Sequence, residues 1–292
     1  MEPKEDHQEG EGVTQNQVST NPLHGLWALT HRELKKWYKE PIVLFISVIQ
    51  PIIWMALFGK AMNIGGIFQN PAVPKALAEE LMRSTFGTPD YFSFMAVGML
   101  SFVTVFTSMF SGMSIVWDRR LGFLGKVLST PVARGAILFS KIFSAVIRSL
   151  IQSGIVLLVA FLLGLRVGPS FTPLNLLGVF AALFLMCMGL SSIFLLIAIR
   201  STRWETQMAV VNLLNLPLLF TSNALFPTSI MPDWLRLVSR VNPITYGTDA
   251  GRQLLLYQTN MSQLMLDFAF LGAFAAIFST IGIFLSWKYL SK

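Results

Sequence analysis

Few side chains in this sequence are placed to do chemistry. The three histidines, His7, His24 and His31, all precede the first long apolar stretch. No hydrophobic segment therefore carries an imidazole for a serine–histidine pair or a zinc site. The single cysteine, Cys187, stands deep in an apolar run. No disulfide can close within the chain, and the thiol reads as a small core residue. A GxxxxGK[ST] phosphate loop is absent from the whole sequence, so the chain offers ATP no such cradle. Nor does any apolar run hold a pair of acidic residues, as a proton relay would require. Together these absences disfavour an enzyme and weaken a proton- or sodium-coupled transporter.

Two charged features remain. Arg148 is the one charge inside an apolar segment, about two helical turns beyond Lys141. At that depth an arginine can snorkel to the near surface, pair structurally, or meet a cargo. Asp249 and Arg252 stand three residues apart, the spacing of a local ion pair on a helix. Such a pair either stabilises its own hairpin or contacts cargo.

The elements that hold these groups are hydrophobic. Of the 292 residues 53% are apolar and only 13% charged, with a mean hydropathy of +0.60, whereas a soluble domain carries about 25% charge. A surface with so little charge must face lipid. Six apolar runs, 41–59, 91–116, 142–165, 172–199, 206–226 and 268–287, each approach the roughly 20 residues that cross a bilayer. They lack the alternation of barrel strands, and backbone in hydrocarbon must satisfy its own hydrogen bonds, so they read as helices. Pro51 and Pro217 fall inside two of them and should kink them. The expected fold is thus an all-α integral membrane protein with six transmembrane helices.

Ahead of the first span, residues 1–25 are polar and read as a disordered cytoplasmic tail. Residues 26–40 form an amphipathic interfacial helix. Leu26, Trp27, Thr30, Leu34, Trp37 and Tyr38 fall on one side, opposite Arg32, Lys35, Lys36 and Lys39. With the N-terminus inside, segments 31–40, 117–141, 200–205 and 288–292 hold four, five, two and two basic residues, thirteen in all. The outer loops 63–90, 166–171 and 227–267 hold two, one and three, six in all. Both termini are therefore expected in the cytoplasm. The net charge of +7 follows from that topology, and nothing is left to suggest nucleic-acid binding.

Two loops have structure of their own. In 117–141, WDRRLGFLGKVLSTPVARGAILFSK, Leu121, Leu124 and Leu128 recur at helical spacing among Arg119, Arg120 and Lys126, and Pro131 ends the short helix. Such a helix can lie on the membrane or dock a cytoplasmic partner. The loop 227–267 sets Pro227, Pro232, Trp234, Pro243 and Tyr246 among Leu, Ile and Val. It is too apolar for water and too broken to span, which fits re-entrant or interfacial helices. On span two, Phe102, Phe106, Met109, Phe110 and Met113 share one helical face, the pattern of packing against a neighbouring helix.

Three stretches carry a resemblance to a known family. They are the basic interfacial helix entering QPIIWMALFG (50–59), the inner DRRLGFLGKVLSTPVAR (118–134), and NALFPTSIMPDWLRLVSRVNPITYGTDAGR (223–252). In this order the sequence resembles the ABC-2 type permeases, within them the group of daunorubicin-resistance and nodulation-oligosaccharide export permeases, from Leu26 to the C-terminus. It departs from the family pattern at Arg120, where glutamate is commoner, and at Ala133, where serine is.

The resemblance implies the membrane subunit of an exporter in the cytoplasmic membrane of a prokaryote, moving an amphiphilic drug-like compound, lipid or lipid-linked glycan. Two permease copies, as a homodimer among membrane lipids, would pair with two ABC ATPase subunits. ATP and Mg would bind there, and no cofactor would bind this chain. The inner helix becomes a coupling helix. Trp117, Asp118, Arg119, Arg120, Phe123, Leu124, Lys126 and Arg134 form the docking face, with Phe123 and Leu124 as apolar anchors. Spans two and five would line the passage, with Phe102, Phe106, Met109, Phe110, Asn212 and Asn215 on it; the flexible Met and flat Phe suit a tolerant site. Pro232, Trp234, Asn242, Pro243, Tyr246, Asp249 and Arg252 would build the outer re-entrant segment. An ion-coupled secondary transporter and a non-catalytic assembly or signalling protein are the alternatives from other classes.

Overall fold

The computed structural model describes residues 22–61, 74–130, 132–201 and 203–290; most of the expected tail, 1–21, and Pro131 lie outside them. Among the described residues the chain is helical, with no strand. Its order is α1 (Pro22–Lys39), α2 (Pro41–Trp54) continued by a π-helical stretch (Met55–Ala61), α3 (Lys75–Phe86), α4 (Tyr91–Arg120), α5 (Phe123–Leu128) and α6 (Arg134–Leu162). There follow α7 (Asn175–Arg200), α8 (Trp204–Phe220), α9 (Asp233–Ser239), α10 (Pro243–Leu255) and α11 (Met261–Leu290). Several bounds differ from expectation: α6 starts at Arg134 rather than 142, α11 at Met261 rather than 268, and α8 ends at Phe220 rather than 226. The interfacial helix starts at Pro22, and the loop 63–90 contains α3, whose Met82 and Phe86 are buried.

Among the described residues five runs are long and apolar enough to cross a membrane: Pro41–Lys60, Glu79–Arg120, Arg134–Leu162, Asn175–Arg200 and Met261–Leu285. The remaining expected span, 206–226, is a helix of 17 residues, α8, about 26 Å long at 1.5 Å per residue. Its chain nevertheless runs alongside α4 from one end of the bundle to the other. Gln207 sits beside Gly112, and Ala224, just past the helix, sits beside Gly98.

Whereas α2 buries only Val48 and Pro51, helix α4 is the centre of the bundle, buried along most of its length. It packs against α6, α7, α8 and α10. Small residues make this possible, as in other membrane helices whose backbones must approach closely. A Cβ built on Gly98 would lie 2.0 Å from the Ala224 carbonyl oxygen, and one on Gly112 only 2.6 Å from that of Phe194.

Hydroxyls and amides tie the helices where lipid offers no partner. Ser149 donates to Thr104 Oγ1 (2.9 Å) and Thr248 to Ser101 Oγ (2.8 Å). Gln152 joins three helices, accepting from Thr107 of α4 (2.6 Å) and donating to Ser47 of α2 (2.5 Å). Pro51 lies within α2 and Pro217 within α8. The π-helical stretch begins four residues after Pro51, the kind of local widening found where a helical hydrogen bond is missing.

Because Gly98 faces backbone, Gly98→Ala should destabilise the fold by about 1–3 kcal/mol. Gly154→Ala, whose new methyl would meet only the Phe180 ring at 3.7 Å, should be near neutral. Thermal unfolding of the two variants in detergent checks the contrast.

Candidate coupling face and outer cap

At the end of the bundle where α4 stops and α6 begins, five charged side chains meet. Lys141 of α6, only 3% exposed, lies 2.5 Å from Asp118 of α4 and 3.3 Å from Glu33 of α1. Lys36 reaches both carboxylates (3.0 Å to Asp118, 3.3 Å to Glu33), and Arg32 does the same at 3.2 and 3.0 Å. Both acids are buried. Burying ions costs several kcal/mol each unless they are paired, so this cluster holds only while α1, α4 and α6 keep their present arrangement. The Arg32 guanidinium also lies 3.2 Å above the centroid of the Phe123 ring, fastening α1 onto α5.

The sequence pattern placed Arg32 and Lys36 on the polar face, toward anionic headgroups and water; here they reach inward to Asp118 and Glu33. Helix α1 buries Thr30 and Glu33, while Trp27 and Tyr38 are exposed. A wheel of apolar residues misses this because the buried stripe is centred on a charge. The one local signal is Lys36 three residues after Glu33.

The expected docking residues divide into two sets. Leu124 is buried, and Phe123 is half-buried beneath Arg32. Both pack α5 inward against the bundle. Asp118 belongs to the ion cluster. Arg119 donates to the carbonyls of Ser201 (2.6 Å) and Ile199 (2.8 Å), capping the C-terminal end of α7 where carbonyls lack partners. Trp117 packs near Trp204 of α8, and the Arg120 guanidinium lies 5.8 Å from its ring. Arg134 begins α6. What faces outward is Leu121 (73% exposed), with Gly122, Gly125, Lys126 and Arg120 around it. Gly122 takes φ +70° to turn the chain from α4 into α5, and nothing approaches a Cβ built on Gly125.

The opposite end is closed by polar side chains. Arg252, 1% exposed, donates to the carbonyls of Asn223 (2.7 Å), Ala224 (2.9 Å) and Phe94 (3.1 and 3.3 Å), and its guanidinium stacks 3.4 Å from the Phe94 ring centroid. It forms no ion pair with Asp249, contrary to the spacing. The carbonyls left open where α8 ends are stronger claimants on five donors than a partly solvated carboxylate. Asn242 caps α10 by accepting from the Ile244 amide (2.9 Å) while donating to Leu218 O (2.7 Å) at the end of α8. Pro243 opens α10, and Pro232 precedes α9, where Trp234 is exposed. Tyr246 donates to Arg240 O (2.6 Å) and stacks on Phe270. Asp249 is bridged instead to Asp267 of α11, since Gln253 donates to both (3.1 and 2.9 Å). The fold thus assembles an acidic pair that lies apart in the sequence.

The expected passage residues do not share one face. Phe102, Phe106 and Phe110 line a cavity with α2 and α6, whereas Met109 and Met113 are buried in packing. Asn212 is exposed on α8, and Asn215 Oδ1 is buried without a partner. Gln207, fully buried with both amide atoms unpartnered, was not anticipated.

Such a bundle, apolar outside, charged at one end and sealed by a broken hairpin at the other, is a multi-pass membrane protein. The description ABC-2 type transporter fits residues 24–256. The chain belongs to the ABC-2 type transporter family and is a membrane transport permease. It is 32% identical over 233 residues to the putative transport permease ycf38 of Cyanophora paradoxa, covering 80% of this chain and 74% of the relative. Against that of Porphyra purpurea it is 29% identical over 229 residues (78% and 72%). The daunorubicin resistance ABC transporter permease protein DrrB1 of Streptomyces coeruleorubidus is 23% identical over 229 residues (78% and 74%).

Lys141→Met would remove the cluster's one fully buried cation and leave Asp118 and Glu33 to the partly exposed Arg32 and Lys36. We expect a loss of about 3–5 kcal/mol, read as a lowered unfolding midpoint, with a smaller loss for the exposed Lys126→Met.

Proposed function

We propose that this permease is the membrane-spanning subunit of an ATP-driven exporter. It carries an amphiphilic compound outward across the cytoplasmic membrane of a prokaryote, powered by two copies of a separate ABC ATPase. The observation that carries this reading is the knuckle at Leu121–Lys126. An apolar side chain and a cation stand out from a turn whose inner side is locked to α1, α4 and α6, as a lever arm needs. ATP and Mg would be held by the partner, since no phosphate loop stands in this sequence. The drug-resistance name of the Streptomyces relative supports an amphiphilic cargo, whether drug-like compound, lipid or lipid-linked glycan.

Six crossings with both termini inside fit the passage of α8 alongside α4 between the two ends of the bundle. A second identical copy fits the outer side of α8. There Leu213 and Leu216 are 71% and 60% exposed beside the exposed amide of Asn212, for which an apolar belt supplies no partner. The acidic pair Asp249–Asp267 favours a second reading, an ion-coupled transporter.

The test reconstitutes the chain with an ABC ATPase sought among the genes that neighbour its own. Leu121→Asp, on an exposed site, should leave the permease folded but weaken its hold on the ATPase and cut coupled hydrolysis at least about tenfold, the effect of one lost interface anchor. Unchanged hydrolysis and assembly would refute docking at this knuckle. Topology is read separately with Gly125→Cys and a membrane-impermeant maleimide; native Cys187 is buried and stays silent. Labelling should occur only from the cytoplasmic side.

A further inference from the structure

Between α2 and the α4–α6 pair lies a cavity of about 280 Å³. Its walls are mainly apolar, with Phe102, Phe106 and Phe110 in a row along α4 and Trp37 of α1 at the end near the ion cluster. Into it projects Arg148. Its Nε donates to Ser144 O of its own helix (3.2 Å). Among the described residues its two terminal nitrogens have no acceptor, and no carboxylate pairs with it. The nearest acids on the facing helices, Glu33 and Asp118, are already shared by Arg32, Lys36 and Lys141. Arg148 also borders the adjoining pocket lined by Glu33, Asp118 and the exposed Glu40. The region thus holds four cations against two buried carboxylates and one exposed one, and the Arg148 guanidinium is the cation that touches none of them.

The depths are ordered too. Lys141 meets Asp118 and Gln152 meets Thr107, so Arg148 is level with Phe110, while Phe106 and Phe102 lie progressively farther from that end. The cavity is thus cationic near the membrane surface and apolar toward the middle. An acidic amphiphile in the leaflet that contains α1 has the matching polarity. We infer that this cavity binds such a molecule, its phosphate or carboxylate on the Arg148 guanidinium and its chain along Phe106 and Phe102. Guanidinium is the cation best suited to hold either head in a forked hydrogen bond. Helix α2, with only Val48 and Pro51 buried, leaves Val43 and Ile46 outward at the rim, so the ligand reaches the cavity from lipid. This assignment does not depend on the ATPase or on which compound is exported.

The test uses the full-length permease alone in phosphatidylcholine nanodiscs or neutral detergent, titrated with phosphatidic acid and with phosphatidylcholine by native mass spectrometry. Phosphatidic acid should bind at least about tenfold tighter, the yield of one charge-assisted contact. Arg148→Gln should erase that preference and Arg148→Lys keep part of it. Val43→Trp, which fills the cavity from its outward rim and leaves Arg148 in place, should weaken phosphatidic acid by a similar factor. It also decides the matter should Arg148→Gln not fold. Inorganic phosphate at millimolar concentration should fail to displace the lipid. Equal preference in wild type and Arg148→Gln, or undiminished binding in Val43→Trp, overturns the assignment. Full displacement by phosphate reduces it to a site for simple anions and overturns the amphiphile.

Discussion

A lysine buried between two carboxylates fixes one whole end of this molecule. Lys141 can stay charged out of water only if Asp118 and Glu33 remain on either side of it, and those residues come from three different helices. The positions of α1, α4 and α6 are therefore a single condition rather than three. Arg32 extends it to α5 through Phe123, and Arg119, one residue after Asp118, extends it to the end of α7. Electrostatics in a medium of low dielectric is unforgiving, because a charge displaced by a few ångströms loses a partner that water cannot replace. An end built in this way is stiff.

The other end solves a different problem with similar means. Where α8 stops and the chain turns back, carbonyl groups are left that neither water nor lipid reaches. Arg252 and Asn242 fill them, one from inside α10 and one at its start. The broken hairpin therefore belongs to the wall of the bundle. Tyr257 adds to the seal by donating to Phe86 O (2.8 Å), tying the turn after α10 to the end of α3.

Much of this architecture can be read from the sequence, because the bilayer makes length and hydropathy nearly sufficient. The long apolar runs, the interfacial helix, the short helix after α4 and the irregular segment after α8 all follow from them. What does not follow is which way a polar side chain turns. Asp249 and Arg252 have ion-pair spacing, yet Arg252 goes to carbonyls and Asp249 to Gln253, since only the folded chain reveals that α8 ends beside them. Leu121 and Leu124 are alike in the heptad of the inner loop. Gly122 rotates the chain between them so that one is exposed and the other buried. Arg32 and Lys36 look like cations turned to headgroups and water until Asp118, more than eighty residues away, is brought beneath them. Helix α3 escapes notice because it is short and only half apolar. In each case the missing information is a long-range contact, not a local preference.

The distribution of these contacts also says where the molecule can move. Helices α1, α4, α6 and α7 share buried charges or charged caps, and a push on α5 must shift them as one body. Helices α2 and α8 stand outside that lock. The first buries two of its residues and the second three, Gln207, Val211 and Leu219, and each meets the core through polar groups that can exchange partners. Gln152 holds α2 at Ser47 through one hydrogen bond, while Gln207 on α8 has none. A buried amide without a partner is costly where it stands. Gln207 is thus the loose point of α8, whose other end Arg252 and Asn242 hold fast.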